Sequence, residues 1–162
     1  MRKMLATLAL LLVATPVVAQ QWYYEDMGTP IAFYDNGVAQ FQFACRGGDL
    51  AMGFWVRSPS RAVAGASSLH LAMVADPAAG SDRKSTAGAS FAQDMPLIHA
   101  DGTSMIVRGP VARNWARIAQ QAQHTIRVAY VRKQGGIEVF DSNDFGAKGS
   151  SSAIKRVLDR CG

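Results

Sequence analysis

The chain is poor in cysteine and histidine and has no dense run of one charge. Each shortage closes off a class of function. The 162 residues include 2 cysteines and 3 histidines. His70, His99 and His124 lie 29 and 25 residues apart, with no H-E-x-x-H or H-x-H spacing, so neither a metal site nor histidine-centred catalysis is indicated. There is no P-loop, no dinucleotide fingerprint and no G-x-S-x-G elbow. The sequence therefore predicts no cofactor and no catalytic residue. Basic residues are scattered among acidic ones instead of forming the stripe a nucleic-acid binder needs, so nucleic acid is not an expected partner. Internal repeats and a domain-splitting linker are also missing.

One catalytic look-alike must be set aside. Ser152-Ala153-Ile154-Lys155 spells S-x-x-K, with "SND" at Ser142–Asp144 and "KGS" at Lys148–Ser150 close by. Enzymes that use this set draw its members from distant segments of a much larger fold and spell the partner motifs differently. Ser152 reads instead as a cap or first-turn residue of a helix.

The longest apolar run, Leu5–Val13, is too short for the ~20 residues that cross a bilayer. It follows Arg2 and Lys3 and is ended by Pro16, with Val17 and Ala19 at −3 and −1 of a cleavage site. Residues 1–19 thus predict a secretory signal peptide, leaving one β-rich domain over residues 20–162. Losing Arg2 and Lys3 takes the 17 basic residues to 15 against 12 acids, a net charge of +3. That mild excess allows a weak attraction to anionic cell-wall or membrane surfaces. An exported chain meets an oxidising compartment, where Cys45 and Cys161 have only each other to pair with.

What is present reads as short strands. "TPIAFYD", the Asn36-Gly37 turn and "VAQFQFAC" form one unit; "RGGD" and "LAMGFWVRS" continue it as a hairpin. Alternation places Ala39, Phe41, Phe43 and Cys45 inward, and makes Leu50, Met52, Phe54 and Val56 a second apolar face. "SSLHLAMVAD", the two sides of Asp101-Gly102, "HTIRVAYVRK" and "IEVFDS" supply further strands, with Pro96 confined to a strand start or edge. The stretch 77–90 predicts an exposed, mobile loop. Pro110 opens a helix with Ala112, Trp115, Ala116, Ala119 and Ala122 on one face. Ser150–Ser152 offer N-caps for a tail helix whose Ala153, Ile154, Val157, Leu158 and Cys161 face the core. The expected fold is mainly β with two helices, an antiparallel sandwich or curled sheet with the C-terminal helix packed on it. Trp55 and Arg57, joined by Arg83 and Lys84 of the polar loop, form the candidate binding surface, because tryptophan and arginine dominate protein contacts.

The segments "FACRGGDLAMGFWV" and "FGAKGSSSAIKRVLDRCG", after an export signal and Trp22, resemble small periplasmic proteins of the VasI-type type VI secretion-associated family. The invasion-associated locus B family is a looser likeness. Gly149, Ala153, Ile154 and Cys161 carry the match at the tail. The resemblance implies a β-rich exported domain with no catalytic mechanism. The functional expectation is an exported, periplasmic binding or accessory protein whose partner is an envelope protein or a cell-wall component. The alternative is an inhibitor of a cell-wall lytic enzyme, or a small hydrolase.

Overall fold

Two turns set the register of the large sheet's central strands. At the first, Asn36 Oδ1 accepts the N–H groups of Val38 and Ala39 at 2.9 and 2.7 Å, and Asp35 Oδ1 accepts that of Gly37 at 2.8 Å. At the second, Gly47 and Gly48 take φ of 61° and 85°, the left-handed pair a tight two-residue hairpin requires. These turns join β2 (Pro30–Asp35), β3 (Ala39–Arg46) and β4 (Asp49–Val56) in antiparallel register.

A computed structural model describes residues 20–94, 97–99 and 102–161 of the chain. The predicted signal peptide, Pro96 and Asp101 lie outside the described residues. The remaining elements are β1 (Tyr23–Asp26), α1 (Arg61–Ala64), β5 (Leu69–Ala75), β6 (Ser90–Asp94), β7 (Leu97–His99), β8 (Gly102–Arg108), α2 (Gly109–Gln121), β9 (Thr125–Lys133), β10 (Ile137–Gly146) and α3 (Ser150–Arg160). Strand order is β1-β2-β3-β4-β8-β7 in a six-stranded sheet and β10-β9-β5-β6 in a four-stranded one; both are antiparallel. The fold is α+β, as expected. The one-turn α1, and β1 at the edge of the large sheet, are additions to the expected elements.

One apolar core runs from Trp22 to Cys161. The inward faces of β3 and β4 match the sequence alternation, and all eight of those side chains are buried. The small sheet covers part of this face: Phe145 lies 5.6 Å from Tyr34 and 5.7 Å from Phe41, and Tyr130 lies 5.0 Å from Phe54. The buried Tyr130 hydroxyl donates toward the carbonyls of Phe54 and Thr103, at 3.1 and 2.9 Å, tying the sheets together. Desolvation holds that phenol far above the ordinary tyrosine range.

The helices pack on one another and on the rest of the large sheet's inner face. Trp115, Ala116 and Ala119 of α2 and Ile154 and Val157 of α3 are buried there. Cys45 and Cys161 are joined as a disulfide with Cα atoms 5.5 Å apart, closing a sequence separation of 116 residues. A bridge over so long a loop contributes roughly 4 kcal/mol in the chain-entropy account. The serine caps expected for α3 are absent. Gly149, at φ 82°, holds the N-cap position, and a Cβ there would come within 3.3 Å of the Trp22 carbonyl. Ser150–Ser152 are first-turn residues instead.

β10 is longer than expected because a bulge carries it past Ser142. Its register with β9 breaks between Phe140 and Asn143, and Asp141 takes φ 46°. The Asp141 carboxylate accepts the N–H of Ser60 at 2.8 Å, just ahead of α1.

Candidate functional site: an outward trough on the large sheet

The inner face of the six-stranded sheet is covered, and its outer face carries the site. Register sets outward residues in rows across the strands. One row is Tyr23, Phe33, Gln42, Gly53 and Ile106. The next holds Asp35, Gln40, Trp55 and Ser104, and the one on the other side holds Glu25, Ile31, Ala44, Ala51 and Arg108. Ala51 and Gly53 therefore keep β4 low between Ile31 on β2 and Ile106 on β8, with Trp55 rising at one end.

Gly53 opens this surface. A Cβ there would meet Gln42 Cγ and Nε2 at 3.2 Å, so Gln42 lies flat across the glycine. Gln42 Oε1 accepts from Gln40 Nε2 at 2.7 Å. The depression between Gln40, Gln42, Gly53, Trp55 and Ile106 has a volume of about 300 Å³. It shares Gln42, Gly53 and Ile106 with a second of about 260 Å³, which runs on past Ile31, Ala44 and Ala51 to Arg46 and Arg108. The two make one trough along β4, walled mainly by apolar groups. Asp49 stands opposite Arg46 in register. Among the described residues neither Arg46 nor Arg108 has an ion-pair partner.

Trp55 closes the other end and is held from two sides. The Arg57 guanidinium lies 4.6 Å from the Trp55 ring centroid. Arg57 is fixed by a two-point ion pair with Asp35; its Nη1 donates to Oδ1 at 2.9 Å and its Nη2 to Oδ2. Partial burial pushes the Asp35 carboxyl up. Its bonds from Arg57 and from the Gly37 N–H more than offset this and leave it below the ordinary aspartate value. On the other side is Gly102, where an added Cβ would stand 2.4 Å from Trp55 Nε1. The indole is thus pre-positioned and half-exposed.

The structure brings Trp55 and Arg57 together and places Arg83 and Lys84 elsewhere. Phe145 of β10 points into the core, so its neighbour Asp144 faces outward from the small sheet, and Arg83 approaches Asp144 at 3.7 Å. The two predicted pairs therefore stand on opposite outer faces of the sandwich. The 77–90 segment is a chain of turns closed by Ser81 N to Ala78 O, Ser85 N to Asp82 O and Ala89 N to Thr86 O. Arg127 pins it: Nη1 donates to Asp82 O at 2.9 Å, while Nε and Nη2 hold Asp144 at 2.7 and 3.1 Å. That pairing keeps the Asp144 carboxyl below its ordinary range against the opposing effect of burial. The expected loop is present, but it is fastened to the small sheet.

The catalytic look-alike does not assemble. Ser152 Oγ donates to Gly149 O at 3.2 Å, and Lys155 Nζ pairs with Asp159 at 2.6 Å. Among the described residues no three His, Cys, Asp or Glu side chains gather as a metal site. Among them, too, no helix is long and apolar enough to cross a membrane. The disulfide is compatible with a protein outside the cytoplasm. Sequence reasoning missed Gly53, Gln42, Ile106, Arg46 and Arg108. A glycine inside an otherwise apolar strand was the one signal for them.

Comparison with protein-family models, curated proteins and solved structures finds no match for this chain.

Proposed function

We propose that the chain is an exported, periplasmic binding or accessory protein that engages an envelope protein or a cell-wall component through the trough on its large sheet. The observation that carries this reading is the pre-positioned Trp55, seated against Gly102 and stacked by the Asp35-bound Arg57 at the head of an apolar depression. A rigid aromatic beside an arginine in a desolvated pocket is the pattern of an interface hot spot. The accessory role accords with the resemblance of residues 43–56 and 145–162 to the VasI-type proteins. No catalytic step is assigned.

The test is capture from envelope extract with residues 20–162 as bait, alongside Trp55→Ala and Gly53→Leu. Partners retained by the parent and lost by both variants, with unchanged thermal unfolding, support the reading. An identical partner list for all three removes the trough from consideration.

A second reading, inhibition of a cell-wall lytic enzyme, draws on Arg46 and Arg108 at the trough mouth. Glycoside hydrolases carry paired carboxylates in their clefts, which unpaired cations suit. Full lysozyme activity at excess protein would count against inhibition of that enzyme class.

A further inference from the structure

The charge of the domain is unevenly divided between its layers. Residues 109–121 and 147–161, which hold α2 and α3, carry six basic side chains and one acidic, a net of +5. The rest of residues 20–162 carries nine basic and eleven acidic, a net of −2. The whole mild basicity of the domain thus resides in the helix layer.

The cations are on the outside of that layer. Both helices spend their apolar stripes on the core, so Arg117, Lys148, Lys155, Arg156 and Arg160 are exposed. Lys155 is paired with Asp159, and Arg160 with Asp26 at 2.8 Å. Arg113 donates to the Cys161 carbonyl at 2.8 Å, and Arg156 stacks 3.7 Å from the Tyr24 ring centroid, so both are positioned without a salt bridge. Among the described residues Arg113, Arg117, Lys148 and Arg156 are in no salt bridge, although Asp26 lies near enough to Arg156 to feel its charge. They are spread over two neighbouring helices, with α3 about 16 Å long at 1.5 Å per residue. This is a broad face, and it suits a flat partner better than a thread-like one.

We propose that the α2–α3 layer is a docking surface for an anionic membrane, held by lipid headgroup phosphates. Each cation near such a surface contributes about 1 kcal/mol, a factor of roughly five in binding. Four cations outside any salt bridge are enough for reversible, salt-sensitive attachment without an inserted segment. The geometry also orients the molecule. The helices cover the inner face of the large sheet and the trough lies on its outer face, so a domain resting on its helices presents Trp55 away from the bilayer.

The test is sedimentation of residues 20–162 with vesicles of three parts phosphatidylcholine to one part phosphatidylglycerol, and with phosphatidylcholine alone. Binding is expected to the first only, and to fall as salt rises. Arg117→Gln, Lys148→Gln and Arg156→Gln together should lower it roughly 100-fold. Arg46→Gln, Arg83→Gln and Lys84→Gln remove the same charge from the other faces and should leave most of it. Near-ultraviolet circular dichroism confirms that each variant is folded. Absence of binding to anionic vesicles overturns the proposal, as does equal loss in the two triple variants. Binding of soluble dextran sulfate without binding of vesicles overturns it in favour of an anionic polymer.

Discussion

Asp35 and Arg57 meet fork to fork, and the guanidinium held in this way lies over the Trp55 ring. The pair joins the end of β2 to the residue just after β4 and makes the indole a fixed part of the surface. Asp35→Asn should free Arg57, change Trp55 fluorescence and weaken partner capture while leaving thermal stability within about 1 kcal/mol, as for a partly exposed ion pair. An unchanged emission spectrum would show that Arg57 does not need Asp35 for its position.

The same pair has a pH signature. The Asp35 carboxyl lies below its ordinary value in the folded protein, so the pair is intact above the usual aspartate range and persists somewhat below it. It is lost only as pH falls through the depressed value. A Trp55 fluorescence transition should therefore have its midpoint below 3.8, the ordinary aspartate value, and be absent in Asp35→Asn.

Asp76 organises the turn into β9. Its carboxylate accepts the N–H groups of Gln123, His124 and Thr125 at 2.9, 2.7 and 3.0 Å. Burial pushes its carboxyl up and these three donors bring it below the ordinary value. Stabilisation is present above the unfolded value and fades as pH falls through the folded one. Asp76→Ala should cost about 1–2 kcal/mol at pH 7 in urea unfolding, discounted for exposure, and much less at pH 2.

Removing the Tyr130 hydroxyl leaves the carbonyls of Phe54 and Thr103 without their donor between the sheets. Tyr130→Phe should lose about 1–2 kcal/mol by chemical denaturation. Alkaline titration of the parent should include a phenol that ionises only on unfolding, and that step should be missing in the variant, while the raised ionisation of the buried Tyr34 remains in both.

Arg127 fastens the turn-rich segment to the small sheet. Arg127→Met leaves a partly buried Asp144 without its strongest partner and releases Asp82. We expect a loss of about 2–3 kcal/mol, below the full range for a buried pair because Asp144 is partly exposed. Trypsin should cut after Arg83 and Lys84 faster in the folded variant than in the parent.

Much of the scaffold was legible because period-two patterns and turn dipeptides act locally. Phe41 and Phe43 alternate with glutamines, and Asn36-Gly37 and Gly47-Gly48 fix the register between their strands. The cysteine pairing followed from having no other partner. Other features depended on contacts distant in sequence. β1 is four residues with no alternation, recruited because β2 offers an edge. Arg127 is a charged residue on an alternating strand and is only 7% exposed, since Asp144 and the turn at Asp82 cover it. The trough was not legible either. It needs Gly53, Ile106 and Ile31 side by side, which follows only once β8 pairs with β4 and β2 with β3.

Trp22 sits in a socket made late in the chain. Its N–H donates to Lys148 O and its indole N–H to Gly146 O, both at 3.0 Å. Cys45 likewise waits for Cys161. An early segment therefore gains these contacts only once the end of β10 and α3 are in place. Closure of the core around Trp22 and Cys45 is thus coupled to the docking of α3.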